Sequence, residues 1–254
     1  MPSKKLWTRD EMILALSLYF QLPFGRLNQS TPEVKQFASL IGRTPGSVAF
    51  RLTNYASCDP YILATGRHGM DGGRKVCMPY WNEFADRKEV LFLEAERIKA
   101  KILQQPIEQQ LGITESDLQG TIREAVVKQR VNQNVFRAMI LNNYECRCAV
   151  TGIAVPELLV ASHIKPWAVD EAERLNPENG ICLSALYDKA FDQGFIGIDE
   201  HYCVILADKL KHYEGPEYYA AHFAKIEHQP ILLPEYHQPN PLFLEWHRDC
   251  VFNK

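Results

Sequence analysis

Apolar positions in the first part of the chain recur at helical spacing. Between Asp10 and Phe20, the residues Ile13, Leu14, Leu16, Leu18 and Tyr19 predict a helix with a broad apolar face. Thr8 is its expected N-cap, with Glu11 three residues on. Pro23 and Gly25 stop it. A second helix is expected from Pro32 to Ile41, with Thr31 as N-cap; Val34, Phe37, Ala38 and Ile41 fall at i, i+3, i+4 and i+7. Gly42 ends it, and Thr44-Pro45 opens a third helix carrying Val48, Phe50, Leu52 and Tyr55.

Residues 58 to 80 read as a loop, because glycine stands at 66, 69, 72 and 73; it is either a mobile connector touching DNA through Arg67, Arg74 and Lys75 or a plain surface loop. Helical spacing returns over Asn82–Gln105, and Pro106 ends it. A turn at 111–117, with Ser116 or Asp117 as cap, leads into a helix over Leu118–Asn142. From Leu158 the pattern changes. An apolar run ends at His163, a polar loop carries Asn179, and a short amphipathic helix carries Asp188. Phe195 to Leu206 alternates about Asp199-Glu200 as a β-hairpin does. Residues 216–227 read as helical, and the Pro-rich tail ends in a short helix with Leu242, Leu244 and Trp246. The fold class expected is α+β: a helical domain over 1–60, linking loop and helices over 61–124, and a mixed domain over 125–254.

Composition changes this picture little. A chain of 254 residues, 46% hydrophobic and 23% charged, has enough material for ordinary cores. A net charge of -3 gives no global basic field, so nucleic-acid contact must rest on local patches. Residues 1–60 supply one, with seven Lys and Arg against four Asp and Glu. Seven scattered cysteines and the absence of a secretory pattern at the start point to a reducing, cytoplasmic setting with free thiols. No apolar run reaches bilayer length.

Two helix faces are candidates for phosphate contact. One carries Arg43, Ser47, Arg51 and Asn54; the other carries Arg130, Gln133 and Arg137 at i, i+3 and i+7. The alternative for each is an ordinary solvated face. Cys146 and Cys148 have a poor spacing for zinc and read better as buried thiols. The five histidines from 212 to 247 read as surface or packing residues.

The opening of the last domain holds the chemistry. Phosphodiester hydrolysis needs a base for water, a cation for the phosphate charge, and something to orient the base. His163 at the end of an apolar strand suits the base. Asn179 suits a tether through side-chain bonds to backbone. Asp188 suits a hard oxygen ligand, and Lys165 and Lys189 suit phosphate.

The stretch IGRTPGSVAFRLTNYASCDP resembles the third helix of Myb-like and helix-turn-helix DNA-binding domains. ASHIKPW, followed by NPENGICLSALYDKAFDQGFI, closely resembles the HNH endonuclease family of the ββα-metal fold, in particular its branch of bacterial restriction endonucleases. The resemblance covers about residues 125–250. It implies His163 as general base, Asn179 as the central asparagine, Asp188 as metal ligand in place of the last motif histidine, a single Mg²⁺-type ion (Mn²⁺ as substitute), no structural zinc, and cleavage of double-stranded DNA. Asp192, one turn beyond Asp188, is a candidate second ligand or a helix-end turn residue. The chain departs from the family in having Ser162 where many members carry a ligand Asp, and Tyr187 where a His is common. These departures support an alternative: a non-catalytic DNA-binding protein with a degenerate HNH core. A third reading is a nuclease whose N-terminal domain binds a protein. A palindromic target would imply a homodimer.

Overall fold

The computed structural model describes residues 6–114, 123–213, 215 and 217–252. The chain divides into two compact units, Met1–Val135 and Phe136–Lys254. The first is helical among its described residues, and the second mixes helices with two small antiparallel sheets. Among the described residues no helix is long and apolar enough to cross a membrane.

In the first unit, α1 (Arg9–Gln21) starts with the expected capping box: Thr8 accepts from the Glu11 amide, and Glu11 reaches back to the Thr8 amide. Helix α2 (Pro32–Ile41) ends at Gly42 in the left-handed conformation, φ 65°. Thr31 precedes it without capping; its hydroxyl donates instead to the Arg26 carbonyl at 2.7 Å. Helix α3 (Pro45–Ala56) is capped by Thr44. Tyr55 ties α3 to α1 by donating to the Met12 carbonyl at 2.9 Å, and both residues are buried.

The segment read as a loop holds two helices, α4 (Pro60–Ala64), capped by Asp59, and α5 (Arg74–Phe84). Its glycines serve close packing. A Cβ at Gly69 would lie 2.3 Å from the backbone of Thr53 and Ser57, and one at Gly73 would strike the Asn54 amide. α5 was hidden in the sequence by Pro79 inside it, while burial of Cys77 and Phe84 holds it in place. The helix expected over 82–105 begins later, as α6 (Lys88–Leu103), after a break that follows α5. A one-turn helix, α7 (Ile107–Gln110), follows. The long helix α8 is described over Arg123–Asn143; its expected start and the caps at 116–117 lie outside the described residues.

In the second unit, strand β1 (Leu159–His163) pairs antiparallel with β2 (Gly180–Ser184), Ser162 opposite Ile181 and His163 opposite Gly180. Helix α9 (Ala185–Asp192) follows β2 directly. The hairpin β3 (Ile196–Ile198) and β4 (Val204–Leu206) forms where alternation predicted it. Then come α10 (Asp208–Lys211), α11 (Glu217–His222) and α12 (Pro241–His247), the last continuing into a π-helical turn over Arg248–Phe252. Val251 and Phe252 in that turn pack against Gly194 and Gly197, so the tail lies on the α9–β3 junction.

Candidate active site

Two strands and a helix carry the chemistry-bearing residues, His163 at the end of β1 and Asp188 and Asp192 on α9. Side chains alternate along β1, so His163 and Ser162 point to different sides.

On the His163 side lies the C-terminal part of α8. The imidazole stacks on Phe136 with ring centroids 3.6 Å apart and planes 9° from parallel. Gly180, opposite His163 in the register, makes this approach possible: a Cβ there would lie 2.4 Å from Ile140 and 2.7 Å from Phe136. A Gly180→Ala change is therefore expected to cost about 1–3 kcal/mol through overpacking, read as a lower melting temperature, and to displace the ring on which His163 rests. Trp167 closes the other side, edge-on to the imidazole at 5.7 Å, with the Arg174 guanidinium 5.2 Å from its own ring centre. His163 Nε2 donates to the Arg174 carbonyl at 3.1 Å. A carbonyl only accepts, so the neutral ring carries its lone pair on Nδ1. Nδ1 has no hydrogen-bond partner among the described residues. Burial holds the imidazole pKa below its ordinary value, against the opposing pull of the Arg174 carbonyl.

Asn179 is fully buried and organises the loop between the strands. Its Oδ1 accepts from the Lys165 amide at 2.9 Å; its Nδ2 donates to the carbonyls of Lys165 at 3.1 Å and Glu173 at 3.3 Å. Its own carbonyl accepts from the Ile164 amide at 3.0 Å. The residue after Glu173 is Arg174, whose carbonyl holds His163.

On the other side, α9 carries Asp188, half-buried, and Asp192, exposed, one turn apart on the same stripe. Neither forms a salt bridge among the described residues. Burial raises the Asp188 pKa, with the Ser162 hydroxyl and Lys189 acting against it. Partial desolvation of its carboxylate by neighbouring atoms, and then repulsion from Asp188, raise that of Asp192. Among the described residues no three His, Cys, Asp or Glu side chains gather as a metal site. The oxygen donors that are present, two carboxylates lacking an ion-paired partner, fit a small hard cation that keeps most of its waters. Tyr187 is taken up in packing, its hydroxyl donating to the His222 carbonyl at 2.6 Å. His247 is buried, stacked on Phe191 at 3.6 Å and bonded through Nε2 to the Phe191 carbonyl at 3.0 Å; burial pushes its pKa down to about 4. Cys148 accepts from the Ser184 amide, and burial pushes the Cys182 thiol up to about 12.

The basic residues singled out in the sequence have different surroundings. Arg43 forms a bidentate pair with Glu11 at 2.9 and 2.8 Å, both side chains 10% exposed, and lies 4.5 Å from the Trp7 ring centre. Arg51 lies 4.9 Å from the same ring, with Nη1 3.6 Å from Cys77 Sγ. Asn54 is fully buried, so these residues do not share an exposed face as the helical spacing implied. Arg137 donates to the carbonyls of Leu159 at 2.6 Å and Pro156 at 2.8 Å, clamping the start of β1. Arg137→Ala should lower stability by about 2–3 kcal/mol, measured by chemical denaturation; an unchanged midpoint would show that the clamp contributes nothing. Lys165 pairs with Asp170 at 2.8 Å. Arg130 and Lys189 form no salt bridge or hydrogen bond among the described residues. Sequence reading missed Phe136, Trp167 and Arg174 as the walls of His163. The one signal for them was the helical spacing of Phe136 and Ile140 facing a glycine that no local turn requires.

Residues 148–199 match the family model described as HNH endonuclease, about a fifth of the chain. The matched segment runs from Cys148 through β1, the tethered loop, β2 and α9 to the first hairpin strand. No curated protein matches the chain.

Proposed function

We propose that the protein is a metal-dependent endonuclease of double-stranded DNA, with His163 as the general base. The observation that carries this reading is the state of that ring. It is held on three sides by Phe136, Trp167 and the Arg174 carbonyl, and it keeps one nitrogen lone pair available at Nδ1. A buried base with a depressed pKa stays neutral at physiological pH and is ready to accept a proton from water. Asn179 orients the base at one remove, by fixing the backbone of Lys165 and Glu173. Asp188 and Asp192 would hold a divalent cation, Mg²⁺ or Mn²⁺. Bound there, the ion would neutralise phosphate charge and stabilise the leaving oxygen. Lys189, beside both carboxylates, is available for a phosphate.

Charge distribution supports a division of labour. Phe136–Lys254 holds ten Lys and Arg against seventeen Asp and Glu, whereas Met1–Val135 holds eighteen against fourteen. An acidic nuclease unit has little long-range attraction for DNA, so we assign DNA affinity to the first unit, through a helix-turn-helix-like arrangement of α2 and α3 and through Arg130. The same resemblance to restriction enzymes makes phage DNA the first substrate to try. Purified protein with Mg²⁺ or Mn²⁺ should nick plasmid or phage DNA in at least one modification state. Binding without any nicking across all of them would reject the nuclease reading.

A second reading is favoured by one observation: no group of three or more His, Cys, Asp or Glu side chains is assembled among the described residues. On it, the protein binds DNA and the HNH core serves only packing. Calorimetry separates the two, since this reading requires that no divalent ion binds and that Asp188→Ala changes nothing.

A further inference from the structure

We propose that the buried hydroxyl of Ser162 faces the divalent-cation site and supplies, with the carboxylates of Asp188 and Asp192, its third protein oxygen. This rests on the nuclease reading above and names a residue that the family's usual acidic ligand would occupy.

Ser162 is 3% exposed; its Oγ meets no partner in hydrogen-bond geometry among the described residues, and its polar neighbour is the Asp188 carboxylate. Buried hydroxyls are almost always bonded, so an orphan calls for a missing partner. The register decides which side it faces. His163 and Gly180 turn toward Phe136 and Ile140 of α8, so Ser162 turns the opposite way, to the face that α9 covers. There it lies close enough to Asp188 for its hydroxyl to favour the ionised carboxylate. Asp192 stands one turn further along α9, and the two carboxylates repel each other without a salt bridge to either. Two acids and an unbonded hydroxyl form an all-oxygen donor set. Such a set suits Mg²⁺ or Mn²⁺ and disfavours zinc, which prefers nitrogen and sulfur. A neutral hydroxyl in place of a carboxylate leaves the site with two negative charges, so the ion keeps more of its own charge for a phosphate.

The test is Mn²⁺ titration of the full-length protein without DNA, reading free Mn²⁺ by electron paramagnetic resonance. Wild type should bind one ion, and Asp188→Asn should lose it. Ser162→Ala should weaken binding about tenfold, Ser162→Thr should keep the wild-type affinity, and Ser162→Asp should tighten it at least about tenfold. Metal-free melting curves check that each variant is folded, and Ser162→Asp carries the test if the alanine variant is not. Ala and Asp variants that bind like wild type, with Asp188→Asn still deficient, would overturn the role of Ser162 and leave the nuclease reading intact. A wild-type protein that neither binds Mn²⁺ nor nicks DNA in its presence would overturn both.

Discussion

Replacing His163 with alanine is expected to lower the rate of DNA cleavage by roughly 100- to 10,000-fold, with DNA binding retained. The loss should appear in kcat rather than KM, because the base proposed for His163 acts on the attacking water and not on the bound duplex. His163→Gln should be equally inactive, since an amide keeps much of the shape between Phe136 and Trp167 but is no base. It also controls for the packing lost in alanine. As the proposed base, the same ring is expected to set the acid limb of the pH profile. Its pKa is depressed below the ordinary value by burial, so the midpoint of the acid limb is expected below pH 6.5. The sign for stability is the same: the buried neutral ring contributes stability above the unfolded pKa, and that contribution is lost as pH falls through the lower folded one. A profile whose acid limb lies above 6.5 would contradict the assignment.

Asn179→Ala is expected to give the largest loss of stability at the site. It removes three side-chain hydrogen bonds at a fully buried position and leaves the Lys165 amide and the Lys165 and Glu173 carbonyls without those partners. At about 1–3 kcal/mol for each buried group left unpaired, the sum is on the order of 3–5 kcal/mol after partial relaxation. In melting temperature this is a fall of about 10 °C or more. Asn179→Asp should be no better at neutral pH. It keeps the acceptor for the Lys165 amide but turns a carboxylate oxygen toward two carbonyls that need a donor. Activity should fall as well, because the tether at Glu173 adjoins the Arg174 carbonyl that fixes His163. Melting curves and single-turnover cleavage check both points. A variant that melts and cuts like wild type would remove Asn179 from the account.

Much of this was legible in the sequence where the cause is local. The capping box at Thr8 and Glu11, the left-handed stop at Gly42 and the α1–α3 periodicity depend on residues a few positions apart. The order of an apolar strand, Asn-Gly and an amphipathic helix likewise determined that a ββα unit forms around His163, Asn179 and Asp188. Local signals misled at residues 58–80. Glycine and proline read as breakers there, while close packing of Gly69 and Gly73 against α3 made helices possible on either side.

What only the tertiary structure decided is which polar groups are already satisfied. Helical spacing gave Arg43, Arg51 and Arg137 an apparent solvent face, but it holds no information about Glu11, Trp7 or the carbonyls of Pro156 and Leu159. The same holds in reverse for Ser162. By residue type it was a gap in a metal shell; in the packed fold it is a buried hydroxyl beside the Asp188 carboxylate, with no partner in hydrogen-bond geometry among the described residues. Sequence determines which groups exist and which neighbours lie within a turn or a strand. Desolvation and pairing between groups distant in the chain settle which of them remain available for chemistry, and those depend on the packed fold.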